Sequence, residues 1–179
     1  MRAGIVEDGN NLNSKIDEVR VFVNYFDNKK LFTEEIAKGS FANGGFTITL
    51  PDNIDSKFLD SYSDNDYEEG IKISKKSFKK TYEEVGFTAY KNGVRVGKIN
   101  YEISNWGVSL IYVDGDVDIT GSSSANIGDL NINTTYSVSL KKGWNFWYHH
   151  MTHNEFLKTN TSTSTTKDPG GLKWVFKEY

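Results

Sequence analysis

The stretch "VGFTAYKNGVRVGKINYEI" constrains the fold more than any other part of the chain. Two runs of alternating apolar and polar residues meet at Asn92-Gly93, a pair that tolerates the positive φ angles of a type I′ turn. Alternation with period two sends successive side chains to opposite faces of a strand. The reading is an antiparallel hairpin, which needs further strands to bury its apolar face.

Other runs supply them. Val19, Val21, Val23 and Tyr25 fall on one face, with Arg20 and Asn24 on the other. "DNKK" turns the chain into a second run through Leu31 and Phe32. "NGG" then precedes "FTITLP", in which Phe46, Ile48 and Leu50 alternate until Pro51, which has no N–H to give to a ladder. "WGVSLIYVDGDVDITG", "TTYSVSL", "KGWNFWYHH" and "LKWVFKEY" are four more strand candidates. Aromatic residues make up 14% of the chain, a composition suited to pleated surfaces. About nine strands predict an all-β domain, an antiparallel β-sandwich with a barrel as the alternative. One short helix is expected in "PDNIDSKFLDSY", where Ile54, Phe58, Leu59 and Tyr62 share a helical face and Asp52 can cap it. By composition, residues 1–15 read as a flexible leader, residues 16–179 as a single domain, and "KTNTSTSTTKDPGG" as a low-complexity loop.

The absence of cysteine excludes disulfides, thiolate nucleophiles and Cys-ligated metal sites. A net charge of −3, with both signs interleaved, creates no field that would gather nucleic acid or an anionic membrane, so small or neutral partners are expected. No apolar run reaches the roughly 18 residues of a helical membrane span. P-loop, G-x-S-x-G and dinucleotide fingerprints are absent, and no catalytic residue is predicted.

Candidate sites come from three stretches. "GWNFWYHHMTH", residues 143–153, holds all three histidines and two of the four tryptophans. It reads as a strand through about Tyr148, with Trp144, Phe146 and Tyr148 facing the core and the histidines at its exit. His149 and His150 then point to opposite faces, which argues against a chelating set. Trp147 would lie outside, where a flat ring can stack on the apolar face of a sugar, with Trp106 and His149 completing a candidate ligand-binding set. The alternative is that residues 152–171 cover Trp147. In "YVDGDVDIT", Asp114, Asp116 and Asp118 line the outer face of a strand, either solvated or as a weak calcium site. The run fails as an EF-hand because Ile119 stands where Gly is needed and Ala125 where Glu is needed. Lys72, Lys75, Lys76, Lys79 and Lys80, preceded by the acidic stretch Asp64 to Glu69, read as a solvated edge that discourages strand pairing.

The succession of the first strand, "GGFTITLPDNIDSKFL", "YKNGVRVGKINY", "YVDGDVDITG", "YSVSLKKGWNFWY" and "GLKWVFKEY" resembles a group of secreted lipoproteins of gut Bacteroidota, from about Val19 onward. The resemblance implies an all-β protein exported to the periplasm or cell surface, held to a membrane only through a lipid anchor outside these residues. Its motifs carry over no active-site residue. The expectation is a non-catalytic binding or accessory module, with a glycan or a cell-surface protein as partner. The alternatives are a carbohydrate-active enzyme and a purely structural or protein-interaction domain.

Overall fold

The computed structural model describes residues 2–82, 85–102, 106–171 and 173–179. The protein is all-β, with 67% of the described residues in strands and no α-helix among them. In chain order the strands are β1 (Arg2–Ile5), β2 (Glu18–Asp27), β3 (Lys30–Ala42), β4 (Gly45–Ile48), β5 (Leu59–Ser63), β6 (Ile71–Ile73), β7 (Ser77–Thr81) and β8 (Gly86–Lys91). They continue with β9 (Val94–Glu102), β10 (Trp106–Val113), β11 (Val117–Ile127), β12 (Leu130–Leu140), β13 (Gly143–Asn154), β14 (Thr159–Thr165) and β15 (Lys173–Glu178). Instead of one domain of about nine strands, the chain forms two compact units, each built on one sheet. The first comprises Met1–Phe58, Thr81–Ile103 and Gly171–Tyr179, and the second Leu59–Lys80 and Ser104–Gly170.

The first unit is a seven-stranded sheet in the order β1-β4-β3-β2-β8-β9-β15. Three of its hairpins turn on two residues that both have positive φ: Asn28-Lys29, Asn43-Gly44 and the predicted Asn92-Gly93. Such turns match the right-handed twist of the strands they join. Asp17 fixes the last of them, its carboxylate accepting from the Asn92 N–H at 2.9 Å. The alternation read at Val19, Val21 and Val23 is realised, and all three are fully buried. The two edge strands meet through a parallel bridge between Val6 and Trp174, so the sheet closes in the manner of a barrel. Inside, the Trp174 ring meets Phe46 and Phe87 edge-on, both with centroids 5.0 Å away, and stacks on Tyr101 at 4.7 Å.

Two expectations are corrected here. Residues 1–15 are not a free leader: Arg2 to Ile5 pair with Ile48 to Gly45, and Gly9–Leu12 forms a 3₁₀ turn. Composition missed this because, Val6 apart, the segment contributes backbone and glycine rather than apolar bulk. A Cβ at Gly4 would overlap the Trp174 indole, so the close approach of β1 needs a glycine there. Nor is there a helix at 51–62. Ser56–Phe58 makes one 3₁₀ turn, and Leu59–Ser63 is strand β5. Phe58 is buried, with its ring edge against Tyr25 at 5.2 Å, so a single anchored residue mimics the apolar face of a helix.

The second unit is an eight-stranded sheet in the order β5-β7-β10-β13-β14-β12-β11-β6. Its inner face gathers Ile71, Phe78, Ile111, Val113, Val117, Ile119, Val138, Leu140 and Trp147 from six strands into one core. The stretch read as a low-complexity loop supplies β14, which is antiparallel to β13 and parallel to β12, making the sheet mixed rather than purely antiparallel. Alternating Thr and Ser are compatible with this role, because the β-branched threonine favours extended backbone while its hydroxyl can remain hydrogen-bonded. Where β14 ends, the Thr166 hydroxyl accepts from the Ser139 N–H at 3.0 Å and extends the pairing by one bond.

Candidate binding site

The register of the second sheet sets out a row of residues across its inner face. Gly121 pairs with Tyr136, Tyr136 with Ser164, Ser164 with His149, and His149 with Gly107. Two residues further along the strands lie Ile119, Val138 and Trp147 of the apolar core. In the other direction lie Ser123, Thr134, Ser162 and Met151. The inner face thus grades from an apolar end to a polar end, with tyrosine, serine and histidine at the boundary. Gly107, at one end of the row, leaves room, since a Cβ there would meet nothing nearer than 3.8 Å, whereas at Gly121, where φ is 124°, a Cβ would collide with the Gly70 carbonyl oxygen.

Aromatic rings line the boundary. The His149 ring stacks on Trp147 at 5.4 Å, and Tyr136 meets Trp147 edge-on at 6.4 Å and Tyr67 at 5.7 Å. Tyr62 stacks on Phe78 at 5.8 Å and carries the Lys80 ammonium 4.0 Å above its centroid. His149 Nδ1 shares a hydrogen bond of 3.2 Å with the hydroxyl of buried Ser164. Trp147 is only 7% exposed, and its indole Nε1–H is, among the described residues, the one buried side-chain N or O atom with no hydrogen-bond partner. An unmet buried donor costs about 1–3 kcal/mol, so a group that supplied an acceptor would gain from it.

The electrostatics follow from burial. Desolvation pushes the His149 pKa below its ordinary 6.5, and the nearby Lys80 charge adds to the effect. Burial likewise lowers the Lys80 pKa, against which Asp60 favours the ammonium. The phenols of Tyr67 and Tyr136 are pushed up, by burial first and by neighbouring groups second. At neutral pH the boundary therefore presents neutral imidazole and neutral phenols. Because the folded protein binds the His149 proton less well than the unfolded chain, stability should be full above pH 6.5 and fall as the pH drops below it. The contribution of this one group has a slope of at most about 1.4 kcal/mol per pH unit. Urea midpoints of the wild type and His149→Gln should diverge in that window, and parallel pH profiles would contradict the assignment.

The sequence-predicted candidates fall in different places. His149 and Trp147 come together, but Trp147 belongs to the core and not to the outer surface. On the opposite face of β13, Trp144 and Phe146 are half-buried and Tyr148 is buried. Both faces of the strand are apolar and covered, so parity alone could not tell which faced the core. The strand also runs six residues past Tyr148, because β14 pairs with it as far as Asn154. Trp106 lies on the other face, stacked on His150 at 4.9 Å, and is not brought to the same site as Trp147 and His149.

The acidic run is a turn rather than one outer strand face, since β10 ends at Val113 and β11 begins at Val117. Asp114 accepts from the Lys79 N–H at 2.9 Å. Asp116 accepts from the Lys142 N–H at 2.9 Å and the Lys141 ammonium at 3.1 Å, which together hold its carboxyl below the usual range. Asp118 sits in β11, its backbone N–H bonded to the Ser74 hydroxyl at 2.9 Å. Among the described residues, no three His, Asp or Glu side chains converge as metal ligands.

Of the lysines read as a solvated edge, Lys72, Lys75, Lys76 and Lys79 are exposed, but Lys80 is half-buried over Tyr62. The alternation of Phe78 with Lys80, and of Tyr136 with Val138 and Leu140, already puts these residues on core faces in the sequence. Ser164 gave no such cue, since only the strand register reveals its place. The first unit carries a groove of about 420 Å³ lined by residues including Phe22, Tyr90, Arg95 and Lys98, where Arg95 bonds the Tyr179 hydroxyl at 3.2 Å. Comparison with protein-family models, curated proteins and solved structures finds no match to this chain.

Proposed function

We propose that this protein is a non-catalytic binding module acting outside the cytoplasm, and that the polar end of its second unit's inner face holds a saccharide-sized ligand. The observation that carries the reading is the buried, unpartnered indole N–H of Trp147 beside a ring-lined boundary of Tyr62, Tyr67, Tyr136 and His149. Binding sites combine apolar and aromatic walls with a few placed polar groups, and this boundary has that make-up. Placement outside the cytoplasm rests on the lipoprotein resemblance. A signal peptide ending at a lipid-bearing Cys, in the coding sequence upstream, would support it.

Ligand binding is tested by titrating isotope-labelled protein with a broad saccharide panel and following the Trp147 indole resonance. At least one saccharide should shift that resonance. Tyr136→Leu, which keeps apolar bulk on the core but removes the ring and hydroxyl, should then weaken binding by about three- to tenfold. A panel that leaves the resonance unmoved would overturn the reading.

A further inference from the structure

The groove of the first unit lies on the outer face of its sheet. Along β8, Phe87 and Ala89 are buried on the inner face, so Gly86, Thr88 and Tyr90 belong to the outer one. The register sets Phe22 beside Gly86, Arg20 and Lys98 on either side of Thr88, and Arg95 beside Tyr90. Gly86 leaves the groove open, since a Cβ there would meet nothing within 4 Å. Thr88, only 4% exposed, lines the groove together with the Phe22 and Tyr90 rings, whose centroids are 6.5 Å apart.

Charge is unevenly met along this face. Across five strands one row reads Lys38, Arg20, Thr88, Lys98 and Lys177. Glu18 and Glu35 hold Arg20, Glu18 also pairs with Lys38 at 3.8 Å, and Glu102 pairs with Lys177 at 2.6 Å. Lys98 stands in the same row with, among the described residues, no carboxylate within 4 Å. It also lies directly opposite Lys177, and like charges in that position repel. At the next outward position of β9, the Arg95 guanidinium donates to the neutral Tyr179 hydroxyl at 3.2 Å. It too has no carboxylate within 4 Å among the described residues. Two cations thus border one groove, and neither has its charge met there.

We propose that this groove is a second binding site, independent of the one in the second unit, and that it takes a sugar acid or sugar sulfate, with the oxyanion against Lys98 and Arg95 and the sugar ring against Phe22. An oxyanion supplies the counter-charge that both side chains lack, and charge-assisted hydrogen bonds to it are about twice as strong as neutral ones. The hydroxyls of Thr88 and Thr33 suit those of a sugar, since each oxygen can accept as well as donate. A flat base fits less well. Arg20 covers one face of Tyr90 at 4.1 Å, and Phe22 and Tyr90 lie against each other at 31°, so no slot opens between parallel rings. The volume of about 420 Å³ falls within the range of about 300–1,000 Å³ usual for small-molecule sites.

The test follows the backbone amide resonances of Gly86, Thr88 and Lys98 in the full chain. The probes are trigalacturonate with its neutral methyl ester, and galactose 6-sulfate with galactose. At least one charged probe should shift these resonances and bind about fivefold or more tighter than its neutral counterpart, and the pair that responds distinguishes carboxylate from sulfate. Added salt should narrow the difference, because both cations are exposed. Lys98→Met should weaken the charged probe about three- to tenfold, whereas Lys76→Met, the same change of charge at an exposed position of the second unit, should leave it unchanged. Gly86→Phe, which keeps both cations but fills the open space, should remove binding, with the urea midpoint showing that the unit still folds. If neither anion shifts the resonances, if charged and neutral probes bind alike, or if folded Gly86→Phe binds as the wild type does, the inference falls. The Trp147 resonance reports on the other site, so the two readings fail separately.

Discussion

Deleting residues 2–15 should unfold the first unit rather than trim a disordered tail. The segment contributes β1, whose four residues pair with β4, and Val6, which is buried and bridges to Trp174. It donates from Val6 N–H to the Gly44 carbonyl at 2.9 Å and from Glu7 N–H to the Trp174 carbonyl at 2.8 Å. The Asn13 side chain accepts from the Gly44 N–H at 3.0 Å. Each such bond is worth about 0.5–1.5 kcal/mol net, and burial of a valine side chain about 1.5–3 kcal/mol. Together they reach several kcal/mol, comparable with the about 5–15 kcal/mol that holds a typical domain. Without the segment, β4 and β15 would become free edges, and Trp174 would lose the cover of β1. The expected result is loss of the near-ultraviolet signal of buried tryptophan and a collapsed urea midpoint. A truncated chain with an unchanged midpoint would restore the leader reading.

The fold class was legible because period-two alternation and turn chemistry are local properties. Val19 to Val23, Phe46 to Leu50 and the Asn92-Gly93 hairpin all appear as read. What the sequence hid were features set by partners distant in the chain. β1 has little apolar content of its own and is held by Gly4 packing against Trp174, some 170 positions away. β14 is a run of Thr, Ser and Asn that becomes a strand because β12 and β13 flank it on both sides. The candidate site shows the same division. Trp147 and His149 stood out by residue type, and alternation with Phe78 and with Val138 and Leu140 put Lys80 and Tyr136 on core faces, whereas Ser164 reaches the site through strand register, which no single window of sequence contains.

Trp147 gives the sharpest contrast, between two substitutions at one position. Trp147→Ala removes a large ring from a core shared with Ile111, Val113, Ile119 and Val138, and such truncations cost about 3–5 kcal/mol. The second unit should therefore unfold at a much lower urea concentration, and loss of ligand by this variant would say nothing about binding. Trp147→Phe keeps an aromatic ring next to Tyr136 and His149 but deletes the donor. The smaller ring loses some packing, while removing an unsatisfied buried N–H returns about 1–3 kcal/mol, so the variant should lie within about 1–2 kcal/mol of the wild type. The two substitutions separate the ring as core from the N–H as a recognition group. If Trp147→Phe proves as destabilising as Trp147→Ala, the indole nitrogen has an acceptor in the folded protein, and the claim of an unmet donor, with the binding site built on it, is wrong.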